Sequence, residues 1–320
     1  MDSGLPERLF TPAVFEELKT AVDLQPTLLT KANAAEYPLE DVELIIGCWG
    51  CPQLDEAMLD RMPRLKAVIY TAGSVKEFAT EELFSRDITV TSGADTNALP
   101  VAEYTLAMIL LSGKRILEIA DGYVRSRKYR PFAVEPARWG NYGLKVGVVG
   151  ASRIGRRVIE LLNPFDVDVV FYDPFVPEDI LNARSVNLDE LLRESDVVSL
   201  HAPEVPATFQ MINKDALALM RDGSTLINTA RGSLVDTAAL TAELASGRLH
   251  AVIDVTDPDP LPADSALFNA PNLVLTPHIA GSQGNELHRL GEAAFRDVER
   301  FIAGQPLLNQ VKAEVLSHTA

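Results

Sequence analysis

Residues 145–173 read KVGVVGASRIGRRVIELLNPFDVDVVFYD, and this one stretch leaves few folds open to the chain. The apolar run Lys145–Val149 stops at Gly150, a short turn follows, and Gly155 opens a segment with helical periodicity. A second apolar run, Asp168–Tyr172, ends on Asp173. Strand, glycine turn, helix, strand and acid, in that order, make a dinucleotide-binding βαβ unit. Gly150 lets the chain leave its strand sharply, Gly155 lets the helix pack close to the sheet, and the helix N-terminus then faces a pyrophosphate. The carboxylate of Asp173 is placed to accept hydrogen bonds from ribose hydroxyls and repels a 2′-phosphate, which selects NAD over NADP. The middle glycine of the G-x-G-x-x-G pattern is replaced in Gly150-Ala151-Ser152-Arg153-Ile154-Gly155. The Ser152 hydroxyl can donate to a phosphate oxygen, while its Cβ keeps the backbone slightly further away.

A chain of 320 residues suits two domains, each with its own core. The formal charge of −16 argues against nucleic acid or an anionic membrane as a partner. No apolar run approaches the ~20 residues needed to span a bilayer. MDSGLPERLF has no basic segment followed by an apolar one, so no secretory signal is expected and a cytoplasmic location is the default. No metal site is expected. The two cysteines, Cys48 and Cys51, form a C-x-x-C between a predicted strand, Val42–Ile46, and a predicted helix, Gln53–Met62. That is the setting of a thiol redox pair; the alternative is two small residues in a strand-to-helix turn.

Apolar runs alternate with helix-period segments through most of the chain. Further strands are expected at Leu65–Tyr70, Ile88–Thr91, Val146–Val149, Val169–Tyr172, Val197–Leu200, Thr225–Asn228, Ala251–Val255 and Leu273–Leu275. Helices such as Leu188–Glu194, Asp215–Met220 and Thr237–Ser246 lie between them. This alternation predicts an α/β fold of parallel sheets covered on both faces. Because the dinucleotide unit starts near residue 145, the earlier strands belong to another domain. The segment Pro100–Ser112 is apolar nearly all round and predicts a buried helix that bridges domains or forms a subunit interface. Residues 121–143 mix aromatics, basics and prolines without clear periodicity and suggest an extended arm. The amphipathic segment Asn285–Ala303 is suited to cross back to the first domain.

Three positions follow strands, where such folds place their sites: Arg231, Asp254 with Asp259, and His278. An arginine binds a carboxylate through two parallel hydrogen bonds and polarises a neighbouring carbonyl. A histidine exchanges the hydroxyl proton, and a nearby carboxylate stabilises its protonated form and fixes its tautomer. Taken singly, each has a structural explanation in strand capping, a turn or a loop. Jointly, downstream of a nucleotide motif, they are what interconversion of a 2-hydroxy acid and a 2-keto acid requires.

The motifs PVAEYT at 100–105, SDVVSLH at 195–201, NTARG at 228–232 and TPHIAG at 276–281 occur in an order that resembles the D-isomer-specific 2-hydroxyacid dehydrogenase family, from about Val42 to Gly281. The resemblance implies two Rossmann-like or flavodoxin-like α/β domains with a cleft between them. Residues 1–98 and 286–320 would form the substrate domain and 99–285 the NAD-binding domain, in a homodimer. It also implies that His278 is the acid/base, Arg231 the substrate-carboxylate ligand and Asp254 a contact to the nicotinamide end. The family's histidine partner is usually glutamate; Asp259 here is one methylene shorter, which lengthens the pair and weakens support for the imidazolium. Backbone amides of the turn Ala72-Gly73-Ser74-Val75 match the family's carboxylate cradle, and Trp49 is expected to reach the cleft. His201, Pro203, Thr105, Thr229 and Gly281 match positions near the cofactor. Phosphoglycerate-specific relatives need extra positive charge, which the turn Gly47-Cys48-Trp49-Gly50 does not offer, and no regulatory domain is expected after residue 310. The rival functions are an NADH-binding regulator on the same fold, a thiol redox protein, and a relative that oxidises formate or phosphite.

Overall fold

The computed structural model describes residues 1–127, 140–177 and 182–315. In chain order it begins with α1 (Leu5–Leu9), α2 (Pro12–Ala21), β1 (Leu44–Gly47), α3 (Glu56–Asp60), β2 (Ala67–Tyr70), α4 (Glu81–Ser85) and β3 (Thr89–Ser92). Next come α5 (Ala94–Gly113), α6 (Ile116–Ser126), β4 (Leu144–Val149), α7 (Arg153–Leu162), β5 (Val167–Tyr172), β6 (Arg184–Ser185), α8 (Leu188–Glu194) and β7 (Val197–Leu200). The chain ends with α9 (Lys214–Leu219), β8 (Thr225–Asn228), α10 (Thr237–Ser246), β9 (His250–Ile253), β10 (Leu273–Leu275) and α11 (Leu287–Ile302). It divides into two compact units, Met1–Ala98 with Ser282–Ala320, and Leu99–Gly281. Within the first unit the Ser282 amide donates to Asn97 Oδ1 at 2.9 Å.

The first unit is built on a three-stranded parallel sheet in the order β1-β2-β3. Every residue of β2 is buried, as a central parallel strand covered on both faces requires. The edge of β3 is closed by the chain's C-terminal segment: Ser92 N–H donates to Asn309 O (3.0 Å), Val311 N–H donates to Val90 O (2.8 Å), and Gln310 pairs with Thr91 in antiparallel fashion. α11 buries Leu287, Leu290, Ala294 and Val298 and packs on α1 and α2.

The second unit carries a seven-stranded sheet, parallel throughout, in the order β10-β9-β8-β7-β4-β5-β6. β4 pairs with β5 on one side and β7 on the other, so the winding direction reverses there and a crevice opens at the carboxyl ends of these two strands. Val146, Val148, Val158, Leu162 and Phe171, all fully buried, form much of one face's core.

Two expectations need correction. The helix expected over Pro100–Ser112 begins at Ala94 and carries Pro100 inside it. It is buried along one face (Val101, Ala102, Thr105, Ile109), whereas Leu106, Met108 and Leu110 are half-buried, so its all-round apolar character outruns what the chain itself covers. The extended arm expected over 121–143 is helical at its start. α6 runs to Ser126, its apolar positions Ile116, Ile119 and Tyr123 straddling the place where the aperiodic reading began. Residues 128–139 of that arm lie outside the described residues. The short edge strand β6 and the helices α1, α2 and α4 carried too little periodicity to be read from sequence.

Truncating Phe171, which has no exposed surface, leaves a void the packed sheet cannot collapse into. Phe171→Ala is expected to lower stability by about 3–5 kcal/mol, measured by urea unfolding.

Candidate active site

At the carboxyl end of β4 the chain turns through Gly150, whose φ of +89° is open to glycine and strained for other residues. A Cβ there would lie 2.5 Å from Ala202 N and 2.6 Å from His201 C, so the turn after β4 and the turn after β7 touch backbone to backbone. A Cβ on Gly155 would meet Gly150 O at 1.9 Å, which holds α7 against the strand it follows. Many helices here carry a side-chain cap: Asp55, Thr80, Asn187, Asn213 and Asp236 each accept from an amide of the first turn. Ser152, at the start of α7, makes no such bond. The positive end of the α7 dipole is therefore not covered by a side-chain cap and suits an external anion.

Asp173 closes the turn from the other side. Its Oδ2 accepts the Ala151 amide (2.8 Å) and its Oδ1 the Phe175 amide (2.9 Å), and each oxygen keeps capacity for a further donor. Across the crevice His201 is buried, with Nε2 and Ser199 Oγ 2.9 Å apart and no partner for Nδ1 among the described residues. Thr105 and Thr229 join hydroxyl to hydroxyl at 3.1 Å. The Pro203 carbonyl accepts Thr208 Oγ1–H at 2.6 Å. An uncapped helix, a glycine cradle that any Cβ would fill and a pinned carboxylate are a donor and acceptor set that fits NAD. Arg153 and Ile154 open α7 beside this cradle.

The expected catalytic residues lie on the same unit. Asp254 directly follows β9 and is 2% exposed. Its Oδ1 accepts Thr276 Oγ1–H (2.6 Å) and the Ile279 amide (2.8 Å), its Oδ2 accepts the Ala280 amide (2.9 Å), and its carbonyl accepts the His278 amide (2.8 Å). The Thr276 proton goes to the carboxylate, so Tyr104 OH, 3.0 Å away, is the donor to Thr276 Oγ1. Within this frame His278 adopts φ +55°, a left-handed conformation that a non-glycine residue holds at a cost. Its ring is exposed, with Nδ1 3.7 Å from Asp259 Oδ2. That is ion-pair range and too long for a hydrogen bond.

Arg231 follows β8. Asn228 shapes its turn, donating from Nδ2 to Arg231 O (2.8 Å) and accepting the Ala230 amide (3.1 Å). A Cβ on Gly232 would lie 2.0 Å from the Thr256 carbonyl carbon, which brings the Arg231 turn against the loop that runs from Asp254 to Asp259. The guanidinium donates from Nη1 to Ala230 O (2.7 Å), and its Nε faces Glu204 Oε2 at 3.9 Å. Glu204 also accepts Ser233 Oγ–H at 2.8 Å. Sequence reasoning missed Glu204, Ser233 and Thr276. The acid after Pro203 is visible in HAPEVP, but nothing in the order of residues announces that it meets Arg231.

In the first unit, the turn Ala72–Val75 follows β2, and its carbonyls at Ala72 and Gly73 accept from Ser92 Oγ. Ser74 Oγ accepts the Lys76 amide at 3.4 Å. Trp49 is 39% exposed in the turn after β1. Cys48 and Cys51 are free and buried. Burial raises both thiol pKa values, that of Cys51 to about 11, so the reactive thiolate is scarce and the thiol redox reading loses its physical basis. Among the described residues no group of His, Cys, Asp and Glu has the makings of a metal site, and no helix is long and apolar enough to cross a membrane.

The fold and this crevice define a dinucleotide-binding α/β protein. Residues 106–280 match the family model "D-isomer specific 2-hydroxyacid dehydrogenase, NAD binding domain". The chain is 33% identical over 283 residues to glyoxylate reductase of Thermofilum pendens, covering 84% of this chain and 81% of that one. It is 32% identical over 256 residues to D-3-phosphoglycerate dehydrogenase of Mycobacterium bovis, covering 79% of this chain and 48% of that one. The solved D-lactate dehydrogenase of Aquifex aeolicus, complexed with NAD and lactic acid, superimposes with a TM-score of 0.69 at 30% identity, over 92% of each chain. The chain belongs to the D-isomer-specific 2-hydroxyacid dehydrogenases, NAD-dependent oxidoreductases that act on CH–OH donors.

Burial lowers the His201 pKa to about 3. The unfolded chain takes up a proton near pH 6.5 that the folded chain refuses, so this residue's contribution to stability is complete above that pH and declines as pH falls toward 3. The decline is about 1.4 kcal/mol per pH unit. Urea unfolding at pH 7 and pH 5 is expected to show a smaller loss in His201→Gln than in the wild type, by up to about 2 kcal/mol.

Proposed function

We propose that the chain interconverts a small 2-keto acid and the D-2-hydroxy acid, with His278 as acid/base and Arg231 as the ligand of the substrate carboxylate. The observation that carries this reading is the construction around Asp254. A buried carboxylate spends its acceptors on the loop that holds His278 in a left-handed conformation, with Asp259 beside the imidazole.

Bound NADH supplies the hydride. The residues of the chain do the rest. Protonated His278 delivers its proton to the carbonyl oxygen as it gains charge, with the Asp259 carboxylate beside the ring. Arg231 holds the carboxylate through charge-assisted hydrogen bonds and polarises the neighbouring keto group. Asp254 orients the histidine loop and keeps spare acceptor capacity toward the nicotinamide end. Gly150, Ser152, Arg153, Ile154 and Gly155 face the pyrophosphate and Asp173 the adenosine ribose, while Thr105, His201, Pro203, Thr229 and Gly281 surround the remainder. In this reading residues 99–285 form the NAD-binding domain. The other unit binds substrate, through the amides of Ala72, Gly73 and Ser74 and the ring of Trp49. A cytoplasmic homodimer completes the proposal; the exposed apolar side chains Ile116, Tyr123 and Val124 of α6 support a subunit contact there.

The test is NADH oxidation with glyoxylate, hydroxypyruvate, pyruvate, phenylpyruvate and branched-chain 2-keto acids. Turnover is expected on at least one, with kcat reduced about 10²–10⁴-fold in His278→Ala. Arg231→Gln is expected to raise KM for the same substrate about 10- to 100-fold, the loss of a charge-assisted pair. Asp254→Asn turns an acceptor into a donor facing donors, and is expected to lower kcat about 10²-fold by releasing the loop. NADH binding without turnover on any keto acid would defeat the enzymatic reading and favour a cofactor-sensing regulator.

A further inference from the structure

Glu204 lies in the turn after β7, past His201 and Pro203, and is a standing carboxylate beside the arginine that awaits one. Its Oε2 is 3.9 Å from Arg231 Nε, and its Oε1 is held by Ser233 Oγ–H at 2.8 Å, so the charge is tethered on that side of the guanidinium. Arg231 Nη1 gives one N–H to Ala230 O. The guanidinium edge formed by Nη2 and the second Nη1 hydrogen is what remains for a substrate carboxylate.

We propose that Glu204 is a specificity-determining residue that confines the site to 2-keto acids carrying a single negative charge. The inference rests on the reading of Arg231 as the carboxylate ligand. Arg231 carries one positive charge, which Glu204 and a single substrate carboxylate together already exceed by one negative charge. A second anionic group on the substrate enters a region whose fixed charge beside Arg231 is negative. With the Glu204 side chain 54% exposed, its repulsion of a second charge is partly screened and costs about tenfold in affinity. The residue faces the substrate without taking part in proton or hydride transfer, so its effect falls on KM and on the choice of substrate.

The experiment compares kcat/KM with NADH for two keto acids of equal chain length, 2-oxovalerate with one charge and 2-oxoglutarate with two. The wild type is expected to prefer 2-oxovalerate by at least about tenfold. Glu204→Gln keeps the shape and an acceptor for Ser233. It is expected to raise kcat/KM for 2-oxoglutarate about tenfold through KM, and to change the value for 2-oxovalerate less than about threefold. Glu204→Asp retains the charge and is expected to retain the preference. Added salt should narrow the gap in the wild type and leave the Gln variant unmoved. An equal change on both substrates, or no change on either, overturns the inference while leaving Arg231 in its role. Turnover of neither keto acid by a wild type that reduces another 2-keto acid overturns the inference alone, and absence of turnover on every 2-keto acid overturns it together with the reading on which it rests.

Discussion

A carboxylate withdrawn from water as fully as that of Asp254 persists where protein donors replace its lost hydration. Here the replacements are the Thr276 hydroxyl and the Ile279 and Ala280 amides, all from the segment that carries His278. The need to satisfy one buried charge therefore dictates the path of the loop after β10. The left-handed φ of His278 is the visible result, stabilised because the amides on either side of the bend are all engaged. Tyr104 extends the same network from α5 through Thr276. If the donors were lost, the bend would have no reason to persist, and the imidazole would lose its place relative to Asp259.

The nucleotide half of the site follows from a different constraint, close approach of backbone. Gly150 against Ala202 and His201, and Gly232 against Thr256, mark where neighbouring loops at the carboxyl ends of the strands touch without room for side chains. These contacts lie along successive strands of one sheet, β4, β7, β8 and β9, whose parallel register delivers all their loops to one edge. The reversal of winding between β4 and β7 opens that edge to a ligand. Asp173 then ties the end of β5 back to the turn through Ala151, so the carboxylate is already in place before any ribose arrives.

Much of this was legible in order alone. The strands from Val146 to Leu275 were readable because parallel strands buried on both faces become unbroken apolar runs. Arg231, Asp254 and His278 were conspicuous as polar residues interrupting or following those runs. What escaped had a physical cause in each case. α1, α2 and α4 are short or weakly patterned, and β6 is two residues long. The opening of the expected arm is helical because its apolar period begins at Ile116, ahead of the aromatic and basic stretch. The cysteine pair looked reactive by spacing, yet the same residues are sealed in the first unit's core, where burial disfavours the thiolate.

The sequence by itself determined the cofactor class, the parallel α/β architecture and the identities of the charged residues after the strands. Each of these depends on local pattern: periodicity, a glycine where φ must be positive, an acid at a strand end. Only the tertiary structure decided which polar groups meet. That Asp254 spends its carboxylate on the His278 loop, that Asp259 stops at 3.7 Å, and that Glu204 stands beside Arg231 are relations between loops far apart in sequence. They arise because the sheet sets its strands side by side, and hydrogen bonding and charge act over distances in space that residue order does not encode.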